Sequence, residues 1–355
     1  MPTPAIPLLL PYTAPQPAGS LTLCTSVLGA TSSWLVLRLI CDTLYETDTG
    51  LSSELREGRS AVNAAGTRNL SKKVVLVSFL RRWDFWKAEA RRIGLDLNRL
   101  SNEGSFAFID GLSELFTPGS ASGPAPTAPS PVGGGRPGRP GMQQTLPIRG
   151  PPEIASRAPP RTPFPQPAAG PRTNDSKTLK WPAGRSDQAL DSIQREIEGV
   201  IDKIKTKEQS GDEVLLVIDQ PDLLLAAASG DSFGAAEMTE FITSLREAVH
   251  STVVILSADS PLIHNTTPGC TPLEIEGSSF VTTMAYHAQM VLQLRCLDTG
   301  VAKDVSGVLR VSKGGKSAPL QKPSITHGAS GEEREFLYHL RGDGSVSIFG
   351  RGEVH

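Results

Sequence analysis

Residues 213–225 read EVLLVIDQPDLLL, residues 238–249 read MTEFITSLREAV and residues 251–259 read STVVILSAD; the fold is decided here. Val214, Leu215, Leu216, Val217 and Ile218 are apolar without alternation, the pattern of a strand covered on both faces in a parallel sheet. Met238, Phe241, Ile242, Leu245 and Val249 recur at helical spacing, which gives that segment one apolar face. The run from Thr252 to Leu256 is again continuously apolar and rich in β-branched residues. Strand, amphipathic helix and strand make a βαβ unit. Asp219 ends the first strand, at the carboxyl edge where open α/β sheets hold ligands. It is read either as a metal-facing carboxylate or as a cap on the turn Gln220-Pro221-Asp222, the cap being the simpler reading.

Upstream, residues 20–24 (SLTLC) suit a buried strand, and the loop TSVLGATSS leads into the apolar helix WLVLRLICDTLY, with Ser32 or Ser33 as N-cap. A strand, loop and helix N-terminus in this order hold phosphate in P-loop proteins, because free backbone N–H groups and the helix dipole face the anion. That chemistry needs GxxxxGK[ST]. Laid over the motif, Thr25 takes the first glycine position, Ala30 the second, Thr31 the lysine and Ser32 the hydroxyl. Without the lysine the β/γ-phosphates lose their cation, and a serine-capped turn is the better reading of the loop.

Residues 74–79 (VVLVSF) and 106–112 (FAFIDGL) are further buried strands, the second carrying Asp110. Arg81 and Arg82, just past the first, are either candidate arginine fingers for a neighbour's site or a solvated loop. DFWKAEARRI, with Asp84 as N-cap, is a short helix stopped at Gly94. Residues 187–207 form a long amphipathic helix with Leu190, Ile193, Ile197, Val200, Ile201 and Ile204 as its stripe. After a helix ending in VTTMAYHA come the strands MVLQLRCL, GVLRVSK, FLYHLR and SVSIFG, with Gly342-Asp343-Gly344 as a tight turn. The expected fold is therefore α/β, a mostly parallel sheet flanked by helices that ends in antiparallel C-terminal strands.

With 355 residues, 38% of them hydrophobic, the chain can bury a full core. A formal net charge of -2 gives no overall attraction to nucleic acid or anionic lipid, so any such contact is local. Cys24, Cys41, Cys270 and Cys296 show no metal-ligand spacing and no disulfide framework, which fits a reducing compartment. The proline-broken N-terminus does not suit a secretory signal, and no stretch has the length of a membrane span. Residues 1–18 are expected as a disordered tail, 19–116 as the first part of the α/β domain and 187–355 as its second part. Between them, 117–186 is rich in Pro, Gly, Ala and Ser, and is expected as a disordered, basic insertion. His264 is a lone histidine in a polar loop and reads as a surface residue.

The ordered set SFLRRWDFWKAEARRIGLDL, FAFIDGLSELF, EVLLVIDQPDLLLAAA, ADSPLI and HAQMVLQLRCLDTGVAKDVSGVLRVSKGG resembles the Elongator complex protein 6 family, whose members have a RecA-like fold. The resemblance implies an accessory subunit that joins two RecA-like sister subunits, Elongator proteins four and five, in a hetero-hexameric ring. That ring serves the Elongator catalytic sub-complex in tRNA wobble-uridine modification and binds tRNA. It implies a cytoplasmic protein with a nuclear pool, no membrane, and no cofactor of its own. Asp219 matches the Walker B aspartate but is followed by Gln220, and Ser78 and Phe79 stand where catalytic relatives carry a water-activating glutamate. Thr31, Ser32 and Asp219 are thus degenerate nucleotide-site positions, and the resemblance implies no catalytic residue and no metal. Arg310, Lys313, Lys316 and Lys322 are candidates for an RNA-facing or partner-facing rim. The alternatives are an active NTPase with an atypical P-loop and a recombination-mediator paralog that binds single-stranded DNA.

Overall fold

A computed structural model of the chain describes residues 5–45, 72–117, 176–182, 186–205, 212–227, 233–263, 269–297, 300, 302–316 and 333–350. The chain divides into one unit formed by 1–117 and 173–355, and a second formed by 118–172. The second unit, Lys322 and His264 lie outside the described residues.

In chain order the described elements begin with α1 (Leu10–Thr13), β1 (Ser20–Ser26), α2 (Ser33–Leu44), β2 (Lys72–Ser78), α3 (Trp83–Arg92), α4 (Leu97–Asn102), β3 (Phe106–Asp110) and β4 (Ser176–Thr178). The central part holds α5 (Ser186–Ile204), β5 (Glu213–Asp219), α6 (Asp222–Ala227), α7 (Ala235–Glu247), β6 (Ser251–Ser257), α8 (Ser260–Ile263) and α9 (Pro272–His287). The chain then turns to β7 (Met290–Arg295), β8 (Gly307–Lys313), β9 (Arg334–Leu340) and β10 (Val346–Gly350). All ten strands share one sheet in the order β10-β9-β8-β7-β1-β6-β5-β2-β3-β4. From β7 to β4 every pairing is parallel, and from β7 to β10 every pairing is antiparallel. The nine expected strands and the change from parallel to antiparallel are found. Among the described residues no helix is long and apolar enough to cross a membrane.

The uniform apolar runs divide by parity, because successive strand side chains point to opposite faces. Leu215 and Val217 of β5 join a core with α2, α3 and α4, whereas Val214, Leu216 and Ile218 join one with α5, α6, α7 and α9. Ile193, Ile197 and Ile201 of the expected amphipathic stripe are fully buried in the second core.

Three local expectations change. β4, paired with β3, and the fully buried Leu179 lie within 117–186, expected as a disordered insertion. Asp84 lies inside the first turn of α3 and Arg82 takes the N-cap position, with no side-chain cap. Residues 5–18, expected as tail, pack onto the first core: Leu9 and Tyr12 are buried, and the Thr13 hydroxyl donates to Asp42 Oδ2 at 2.6 Å. The prolines that break periodicity there leave α1 a single turn, so its burial carries no helical signature in the sequence.

Candidate functional site

Asp219 is placed by β5, and the parallel register sets Ser78 of β2 directly beside it. Asp219 is fully buried and has the same strand parity as Leu215 and Val217, so its side chain lies on the α2–α3 side. Its Oδ2 accepts the Ser78 hydroxyl at 2.7 Å, and its Oδ1 accepts Arg81 Nη1 at 2.8 Å. The Ser78 hydroxyl oxygen in turn accepts the Arg81 backbone N–H at 3.0 Å. The Arg81 guanidinium also lies over the rings of Phe85 and Trp86, 5.4 and 5.7 Å from their centroids. Phe79 N–H donates to the Asp219 carbonyl at 2.9 Å and fixes the backbone beneath the pair.

The cap role considered for Asp219 does not match this arrangement. Its carboxylate does not cap the Gln220-Pro221-Asp222 turn, because both oxygens bond across to the β2 strand and the residues after it. Arg81 is turned inward onto its own chain, with its side chain 17% exposed, while Arg82 is exposed. Burial pushes the Asp219 carboxyl up, and Arg81 and Ser78 pull against that shift without cancelling it. The Cys24 thiol of β1 is pushed up to about 12, first by burial and then by the Asp219 charge.

Beside this pair the chain makes an unusual turn. Gln220 adopts a φ of 58°, a left-handed conformation costly for a residue with a Cβ. It is held there from two sides: its N–H donates to the Ile255 carbonyl at 3.0 Å, and its Oε1 accepts the Ser257 hydroxyl at 2.7 Å. Asp222, at the start of α6, accepts the Ser257 N–H at 3.2 Å through Oδ2, while its Oδ1 is buried with no partner among the described residues. Burial pushes this carboxyl up to about 6.

The loop between β1 and α2 spends several of its donors within the chain. Val27 N–H reaches the Leu294 carbonyl at 3.3 Å, Ala30 N–H the Val27 carbonyl at 2.9 Å, and Leu28 N–H the Asp259 carboxylate at 2.7 Å. Asp259 follows β6, so a side-chain carboxylate already faces the N–H of Leu28. Gly29 has a φ of 91° and a Cβ there would meet Cys296 Sγ at 3.3 Å, which accounts for the one glycine in the loop. Thr31 is exposed and its hydroxyl lies 3.0 Å from that of Ser33. Ser32 stands at the N-cap position of α2, but its buried hydroxyl makes no hydrogen bond among the described residues. The expected serine cap is therefore absent in its side-chain form.

The rim candidates separate. Arg310 sits mid-strand opposite Glu335 of β9, whereas Lys313 and Lys316 lie exposed at the far end of β8, opposite the start of β7. Asp259, Ser78 and Asp222 went unrecognised as site residues in the sequence. The one available signal was their shared place at strand C-termini, and it does not say which of them meet.

No model of a known protein family matches the chain, and no curated protein matches it. In fold it is similar to the KaiC-like protein PH0186 from the hyperthermophilic archaeon Pyrococcus horikoshii OT3, at 14% identity and a TM-score of 0.46. That likeness covers 94% of this chain and 91% of that one. The sheet itself is mostly parallel and ends in antiparallel C-terminal strands.

Proposed function

We propose that this chain is a catalytically silent RecA-like subunit of the hetero-hexameric accessory ring of Elongator, acting in tRNA wobble-uridine modification through assembly and tRNA binding. The observation that supports it most is the Arg81–Asp219 pair. Phosphoryl transfer depends on positioned charge, with a metal ion bridging the phosphates and a lysine beside them. Here the carboxylate in the metal-holding position is already paired with a guanidinium from the same chain, and the lysine position is Thr31. The Leu28 N–H, committed to Asp259, adds to the same reading. The ordered motif set described above supports the choice of ring, with Elongator proteins four and five as neighbours, in the cytoplasm and nucleus.

Two measurements test it. The purified chain should show neither magnesium-ATP turnover nor tight nucleotide binding; turnover abolished by Asp219→Ala would establish an active NTPase instead. Co-purification from native extract should return two RecA-like partner chains. Recovery of recombination proteins in their place would point to the single-stranded-DNA alternative.

A further inference from the structure

The parallel strands carry the site just described at their C-terminal ends; at the opposite end a different group converges. Arg246, in the last turn of α7, donates from Nη2 to the Gly19 carbonyl at 3.0 Å, immediately before β1. Two residues on, Leu21 accepts the Gln289 N–H at 2.9 Å, which brings His287, the last residue of α9, to the same edge. The end of β8 closes over this helix terminus: Gly314, Gly315 and Lys316 N–H groups donate to the carbonyls of Gln289, Ala285 and Ala288 at 3.0, 3.1 and 3.0 Å. The approach is so close that a Cβ on Gly314 would collide with the Ala288 carbonyl, and one on Gly315 would lie 2.6 Å from that of Tyr286. Lys313 is paired in register with Met290 at the same end.

Four features of this group stand out. The α9 carbonyls at 284, 285 and 288 already have backbone donors, so His287 and Lys316 are not needed as caps. Lys316 and Arg246 lie close enough to His287 that, after burial, their charges press its pKa down. Glu333 accepts the Lys313 backbone N–H at 3.4 Å through one carboxylate oxygen. Arg246 Nε and His287 Nδ1 are buried without hydrogen-bond partners among the described residues. Finally Tyr286, between Ala285 and His287, is 68% exposed, a full aromatic face turned to solvent among these cations.

We propose that this edge is a binding surface for a single-stranded polynucleotide, with Tyr286 stacking on a base and Lys313, Lys316 and Arg246 holding the phosphodiester backbone. Gathered cations supply attraction to phosphate that is blind to sequence. An exposed ring beside them is the further element that a strand with free bases uses, and a bare anion or a lipid headgroup does not. The surface rests on the proposed role in tRNA binding, and refines it by adding a base-stacking ring to two lysines of the expected rim, Lys313 and Lys316. RNA and DNA share this chemistry.

Titration of the full chain with labelled 12-nucleotide oligouridylate and oligodeoxythymidylate, over a series of KCl concentrations, tests it. Tyr286→Ala should weaken binding at least about fivefold with the salt slope unchanged. Lys313→Gln with Lys316→Gln should weaken binding and make the slope shallower by about 1.4. Arg82→Gln, at the other end of the strands, should change neither. All these positions are exposed, so melting temperatures should match the wild type. If wild-type chain binds and the tyrosine and lysine variants bind equally well, the surface is wrong and the RNA role stands. If the wild-type chain binds neither oligomer, both fail. Tighter binding of DNA than RNA supports the surface and contradicts the tRNA reading.

Discussion

Arg81 and Asp219 form a pair whose partners are unequal in exposure, the carboxylate fully buried and the guanidinium close to it. Removing one member of such a pair leaves an uncompensated buried charge and costs about 3–5 kcal/mol, far more than the pair itself contributes. Arg81→Met should therefore lower stability by about that amount, and adding Asp219→Asn should restore most of it; urea denaturation of the two variants measures the difference. Asp222 makes stability depend on pH. Its folded value of about 6 lies above the ordinary 3.8, so the folded chain holds this proton more tightly than the unfolded chain. That stabilisation is complete below pH 3.8 and is lost as pH rises through 6, a change of at most about 3 kcal/mol. Asp222→Asn cannot ionise, so its stability relative to wild type should rise between pH 4 and pH 7, read from denaturation midpoints across that range. Sequence reasoning saw Asp219 at the end of its strand but took Ser78 only as a missing glutamate. The two are 141 positions apart, and only the β2–β5 register makes them neighbours. Periodicity carries no information about register between strands so distant.

At the level of elements the sequence was informative wherever a single period ran long enough. The α5 stripe was legible in full, and its energetic weight follows: Ile197→Ala removes a fully buried side chain between helix and sheet and should cost about 2–5 kcal/mol, measurable as a shift in denaturation midpoint. Short or proline-interrupted segments were not legible. The single turn α1 is held by Leu9 and Tyr12 in the first core and by the Thr13–Asp42 bond, none of which leaves a repeating pattern. The crossing of residues 314–316 over the end of α9 is equally silent in sequence except for its two glycines. Gly314→Ala must push β8 away from the Ala288 carbonyl, and it should lower the melting temperature by several degrees in a thermal scan.

For the whole molecule, the ten-stranded sheet and both cores are assembled from residues on either side of the 118–172 segment. Replacing that segment with a short Gly/Ser linker should leave the melting temperature unchanged or raise it slightly. Each halving of loop length removes about 0.6 kcal/mol of closure entropy. A fall of many degrees on calorimetry would mean that the segment contributes packing of its own. The fold class was readable from the order of apolar runs, and the chemistry at the strand ends was not, because it depends on which loops the sheet order brings together. One consequence of the arginine at Asp219 concerns supply. A diffusible cation fills a site according to its concentration and leaves when a chelator competes for it. A guanidinium three residues past the end of a neighbouring strand is held at fixed, very high local concentration by the chain itself. On the proposed function, the state of this carboxylate is set at folding and should not follow the metal and nucleotide levels of the surrounding solution.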